Sequence, residues 1–235
     1  MDIREFISGM EIVAPPGLAE DFDTGRIGLI IEGKKDINKV FCALDVSPGA
    51  IGEAVRLQAD MLVVHHTPIF HPVTAVREPL VSLLRPVFAS GMNVFVMHTN
   101  FDHAPQGIND SLAGLLGLTN PTPMAIGLVG GCQLLPDQIG KILHSPLRIW
   151  GELHSINRLA VVGGSGFDIG LIQEAERLGA DAFLSAEAKY SVIRESPLPL
   201  IEATHYALEA PAMRMLSARM GWHFIDDPPK MIASP

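Results

Sequence analysis

The chain is poor in cysteine and in positive charge, and each shortage removes a class of protein. Two cysteines in 235 residues, Cys42 and Cys132, cannot build a disulfide framework. Neither belongs to a C-x-x-C pair, so a zinc finger or dithiol redox centre is excluded and a reducing cytoplasm is the expected location. The 17 Lys and Arg are outnumbered by 26 Asp and Glu, and a net charge of −9 opposes attachment to phosphate backbones, which makes nucleic acid an unsuitable partner. The one dense basic cluster, Lys34, Lys35 and Lys39, stands beside Glu32 and Asp36 and reads as a solvated turn. No uninterrupted apolar run reaches about 18 residues, the span of a membrane helix. The N-terminus Met1-Asp2-Ile3-Arg4-Glu5 has no basic region leading into an apolar stretch, so a soluble, unsecreted protein without a membrane partner is expected. Apolar side chains, in contrast, make up 48% of the residues, enough for a buried core in one large or two small domains and incompatible with disorder.

Short β-branched runs alternate with amphipathic ones, the pattern of βα units on mainly parallel sheets. Strands are expected over 40–44, 61–64 and 93–97, with a helix opening at Ser47-Pro48 and another over 78–89 that stops at Gly91. The pattern then repeats. A shift of 121 positions aligns Val40 with Val161, Gly49 with Gly170, Ile51 with Ile172, Glu53-Ala54 with Glu174-Ala175 and Ala59-Asp60 with Ala180-Asp181. At a slightly different offset, His98-Thr99-Asn100-Phe101-Asp102 faces His205-Tyr206-Ala207-Leu208-Glu209. The expected fold is therefore α/β, two related lobes from an internal duplication, 1–124 and 125–235, divided near the Pro/Gly-rich stretch 121–131.

In open α/β sheets ligands collect beyond the carboxyl ends of strands, and there the polar residues of this chain gather. His65-His66 ends an apolar strand, and Asp102, His205 and Glu209 stand just past the ends of others. Any one of them read alone is a hydrogen-bonded core residue. Together they make three imidazoles and two carboxylates, a donor set for two borderline ions such as zinc, iron, manganese, cobalt or nickel, with positions left open for water. His98 fits three roles: a ligand, a group that orients Asp102, or an acid–base contact to substrate. The turn Gly163-Gly164-Ser165-Gly166 fails both G-x-G-x-x-G and G-x-S-x-G, since positions 169 and 167 are Ile and Phe; it reads as a tight βα turn or an anion cradle. Met213, Leu216 and Met220 have helical spacing and read as core.

The segments His65-His66-Thr67-Pro68-Ile69-Phe70, His98 to Asp102 through Gly107-Ile108-Asn109-Asp110, Gly163 to Gly166 and His205 to Glu209 resemble the NIF-three-like family, the GTP cyclohydrolase 1 type 2 homologues. The likeness spans nearly the whole chain, including Leu18-Ala19-Glu20-Asp21-Phe22-Asp23 leading to Gly28-Leu29. It implies a dinuclear metal centre between the lobes, with ligands at His65, His66, Asp102, His205 and Glu209, and a homo-oligomer in the form of a ring-shaped hexamer. Two departures stand out: Ser191 where the family places a His, and Thr67-Pro68 where it places Pro and Leu. The resemblance implies a hydrolase in which metal-activated water attacks a small molecule, nucleotides included; the alternative is a metal-containing scaffold without catalysis. Of the three roles open to His98, the catalytic one is expected.

Overall fold

The structure, a computed structural model, describes residues 1–231. In chain order it contains α1 (Ile3–Val13), β1 (Gly28–Ile31), β2 (Val40–Cys42), α2 (Pro48–Arg56), β3 (Met61–Val64), α3 (Leu80–Ser90), β4 (Asn93–Val96), α4 (Thr99–His103) and α5 (Ile108–Leu115). There follow β5 (Thr119–Pro123), β6 (Leu128–Gly131), α6 (Pro136–Leu143), β7 (Arg148–Trp150), β8 (Arg158–Val161), α7 (Ile169–Arg177), β9 (Ala182–Ser185), α8 (Tyr190–Glu195), β10 (Leu200–Glu202), α9 (His205–Met220) and β11 (His223–Phe224). Among the described residues no helix is long and apolar enough to cross a membrane.

The chain forms two compact units, one made of Met1–Ala104 with Met213–Met231, the other of Pro105–Ala212. The division expected near residue 124 therefore falls earlier, and the tail returns to the first unit. The reason lies in the pairing. α5 contributes Leu112 and Ala113 to a core shared with β8 and β9, and β5 pairs with β6, whereas β11 pairs with β2.

In the first unit the strand order is β1-β4-β3-β2-β11, with β4, β3, β2 and β11 parallel and β1 antiparallel at one edge. β3 and β4 are buried on both faces, as expected of continuous apolar strands in a parallel sheet. Alternation divides their side chains: Leu62, Val64, Val94 and Val96 share a core with Ile51 and Ala54 of α2 and Leu84 and Val87 of α3, while Phe95 meets Phe6 of α1 on the other face. Trp222 stacks on that same Phe6. The Ser47 hydroxyl accepts from the Ala50 amide and Pro48 occupies the first turn, which starts α2 where the sequence indicates.

The second unit carries the order β5-β6-β8-β9-β10-β7, with a parallel centre of β8, β9 and β10 and antiparallel neighbours on both sides. Leu159, Val161, Leu184 and Ile201 pack with α5, α6 and the first turns of α9, and Ala160, Phe183 and Leu200 pack with α7 and α8. The duplication holds at the level of backbone hydrogen bonds. Ser47 and Asp168 both cap a helix, and the last turn of each is closed by matching bonds, Ala59 N–H to Ala54 and Ala180 N–H to Ala175, each 2.9 Å. Two alignments move, however. Val40 pairs with Met61 while Leu159 pairs with Ala182, so the counterpart of Val40 is Leu159 and not Val161. Likewise the amide of Asp102 bonds to the His98 carbonyl as that of Leu208 bonds to Thr204, which places His205 and Glu209 one residue later along their helix than His98 and Asp102.

Candidate metal centre

Each unit carries histidines and carboxylates of the kind that can hold a metal ion. In the first, β3 ends at Val64 and delivers His65 and His66, whose amides both donate to the Leu44 carbonyl at 3.0 and 3.1 Å. This bend removes the strict alternation of a strand, and the two imidazoles lie side by side with ring centroids 4.8 Å apart. His98, just past β4, brings its ring within 5.1 Å of His65 and 5.7 Å of His66. One donor atom from each of the three lies within 4.8 Å of the others. Asp102, one turn into α4, places Oδ1 3.5 Å from His65 Nε2.

The orientation of the rings is fixed from behind. His65 Nδ1 donates to the Met97 carbonyl at 2.8 Å, and since a carbonyl only accepts, Nδ1 holds the hydrogen and Nε2 the lone pair. His66 Nδ1 is 2.7 Å from Asp45 Oδ1, and His98 Nδ1 is 2.8 Å from Asp23 Oδ2. All three imidazoles thus commit Nδ1 to an oxygen acceptor, as metal-bound histidines do, and present Nε2 on the opposite side of the ring.

Asp23 is fully buried. Burial alone would raise its carboxyl, but hydrogen bonds from the Thr99 hydroxyl and His98, the imidazole charge and the Thr99 amide outweigh that and hold it below the usual carboxylate range.

In the second unit His205 opens α9 and Glu209 follows one turn later, only 3% exposed. His205 Nδ1 is 2.7 Å from Glu187 Oε1, and its Nε2 lies 2.9 Å from Glu209 Oε2. With the Nδ1 hydrogen directed at Glu187, an imidazole lone pair and a carboxylate oxygen face each other, an arrangement that needs a proton or a metal cation between them. Adjacent ligands on a cation with bonds of about 2.0–2.2 Å lie roughly 3 Å apart, and this pair has that spacing. The turn at 163–166 makes room for it. Gly164 has φ +65°, and a Cβ there would come within 2.2 Å of Glu209 Oε1 and 3.1 Å of His205 Nε2. The amide of Gly163 donates to Asn109 Oδ1 at 2.9 Å and that of Gly166 to Ser185 Oγ at 2.8 Å, bonds that tie both ends of this βα turn to its own unit.

The donor chemistry, nitrogen and carboxylate oxygen without sulfur, fits the borderline divalent ions. Cys42 stays outside it: burial pushes its thiol up, and its S–H donates to the Met213 carbonyl. Residue patterns alone did not single out the orienting acceptors Asp23, Asp45 and Glu187. The only signal was the segment from Leu18 to Asp23, together with the place of Glu187 as the counterpart of His66 at a strand end.

The Duf34/NIF3 (NGG1p interacting factor 3) family model matches residues 1–227. A GTP cyclohydrolase 1 type 2 homolog from Pyrococcus horikoshii is 33% identical over 233 residues, spanning 88% of this chain and 91% of that protein. Among solved structures, reduced HcgD from Methanocaldococcus jannaschii is 26% identical at a TM-score of 0.82, covering 95% of this chain and 96% of its own. TTHA1606 from Thermus thermophilus is 27% identical at a TM-score of 0.81, covering 98% and 100%. A family match over nearly the full length, on a chain whose strand ends carry this histidine and carboxylate set, means that the protein belongs to the Duf34/NIF3 family.

Proposed function

We propose that the chain is a metal-dependent hydrolase that holds two divalent ions with His65, His66, Asp102, His205 and Glu209 and uses His98 as an acid–base group on a small-molecule substrate. One observation carries the reading: the Nδ1 atoms of His65, His66, His98 and His205 are each held by an oxygen acceptor, so each ring is set in advance to offer Nε2. Two such ions supply, when bound, a water of lowered pKa and polarise the bond it attacks. His98 has the equipment for proton transfer. Asp23 fixes its tautomer, and Nε2 can take a proton from an attacking water and return it to a leaving group.

The name carried by the relatives puts opening of the guanine ring of GTP among the reactions to test. Elemental analysis of protein purified without added metal should find two divalent ions per chain. The loaded protein should then hydrolyse a member of a panel of phosphoesters, nucleotides and cyclic amides, and His98→Gln should abolish turnover while keeping the metal. A metal-loaded protein inert toward the whole panel would instead support a scaffold whose metals are saturated by its own ligands. The family resemblance further supports a homo-oligomer with threefold symmetry, a hexamer; light scattering that reports a 25.3 kDa monomer at micromolar concentration would overturn that assignment.

A further inference from the structure

We infer that Phe22, Phe70 and Arg26 form a recognition rim beside His98 for a planar aromatic ring that carries an anionic group. The inference rests on the hydrolase reading, since it names the class of molecule brought to that site.

Of the ten phenylalanines in the chain, Phe22, Phe70 and Phe88 are exposed, and two of these three flank His98. Phe22 is 51% exposed with its ring centroid 6.3 Å from that of His98, and Phe70 is 44% exposed at 6.5 Å, both edge-on to the imidazole. The two rings lie 6.4 Å apart at 45°. A third ring needs about 7 Å and parallel walls to slide between them, so a ligand would stack on the outer faces instead. Exposed aromatic surface next to acid–base and metal-donor groups loses water when such a ring covers it, whereas an isolated exposed Phe gains nothing comparable.

Arg26 supplies the second half of the specificity. Its guanidinium carbon sits 4.6 Å above the Phe70 ring, and Nε donates to the Phe70 carbonyl at 2.5 Å. These two contacts anchor the head group. Among the described residues that is the only hydrogen bond of the Arg26 side chain, and no carboxylate pairs with it. In a chain of net charge −9 an arginine that keeps both terminal nitrogens for a newcomer is suited to a carboxylate or phosphate, which it can grip with two parallel hydrogen bonds. The ring and the anion are thus read by separate residues on one rim.

The test uses isothermal titration calorimetry on the metal-loaded full chain with three probes: GMP, which has both ring and anion, guanosine, which lacks the anion, and ribose 5-phosphate, which lacks the ring. GMP should bind at least tenfold more tightly than either fragment. Phe22→Leu and Phe70→Leu should each weaken GMP severalfold, and Arg26→Gln should reduce GMP to the affinity of guanosine, with unchanged metal content and circular dichroism. Equal binding of GMP by wild type, Phe22→Leu and Arg26→Gln, or no binding of GMP by wild type, would overturn the rim. So would light scattering in which Phe22→Leu and Phe70→Leu dissociate an oligomer, because the phenylalanines would then belong to a subunit contact. A protein that binds no metal yet shows rim-dependent GMP binding would sink the hydrolase reading alone.

Discussion

At Gly164 the backbone conformation and the metal donors meet in a single atom that is absent. A methyl group there would strain a φ of +65° and would occupy the space of Glu209 Oε1. The carboxylate can swing away, so the backbone strain costs stability only about 1–2 kcal/mol, while the donor pair loses its 2.9 Å spacing. Gly164→Ala is therefore expected to lower metal affinity by about 10–100-fold with a small drop in melting temperature. Metal titration monitored by calorimetry checks it, and unchanged affinity would separate Glu209 from the metal. The candidate donors stood out in the sequence because imidazoles and carboxylates at the ends of apolar strands are costly to leave unpaired. The groups that orient them were not. Asp23 lies 75 positions from His98 and Asp45 lies 21 from His66, and no spacing rule connects residues that meet only through tertiary folding.

Asp60 shows how a single carboxylate ties neighbouring elements together. It accepts from Lys34 Nζ at 2.7 Å and from the amides of Asn38 and Lys39 at 3.0 Å, joining the start of β2 to the start of β3. Asp181 does the same for the amides of Asn157 and Arg158 at the start of β8. Burial pushes the Asp60 carboxyl up, but Lys34 and the two amides hold it below its ordinary value. A depressed native value means that the stabilisation is complete above the unfolded value of about 4 and is lost as pH falls through the native one. Asp60→Asn should thus cost about 2 kcal/mol at pH 7, and the gap to wild type should close as urea titrations move from pH 5 to pH 2. A pH-independent gap would mean that the charge is irrelevant. Much of this layer was legible: β3 falls where a four-residue apolar run predicts it, and α2 begins at its Ser-Pro signal. β5 was not, because Thr119-Asn120-Pro121-Thr122-Pro123 has neither alternation nor β-branched apolar residues and forms an edge strand only because β6 offers a partner. The two-residue displacement between β2 and β8 also escaped, since Val40 matches Val161 as well as any neighbour by type.

The whole molecule should feel its metals as a thermodynamic load on the native state. Ions that bind only folded protein add RT ln(1 + [L]/Kd), roughly 3–4 kcal/mol at a hundred to a thousand times Kd, so chelator should lower the melting temperature of wild type by several degrees. Glu209→Gln keeps the side-chain shape but removes a charge, and it should melt at the lower temperature with or without chelator and retain its secondary structure. A wild-type melting temperature indifferent to chelator would make the ions adventitious. A different consequence follows from β11, whose His223 and Phe224 pair with Phe41 and Cys42 and whose neighbour Ile225 bonds back to the Cys42 carbonyl at 2.7 Å. A ribosome adding roughly 5–20 residues per second makes β2 about 10–40 s before the strand that covers it. During that interval the second unit is synthesised complete, while the first has an open parallel edge of the kind that recruits foreign strands. Nascent chains released after Gly221 should accordingly be captured by chaperones or aggregate, and chains that continue through Asp227 should escape; equal capture of the two would show that the late strand protects nothing.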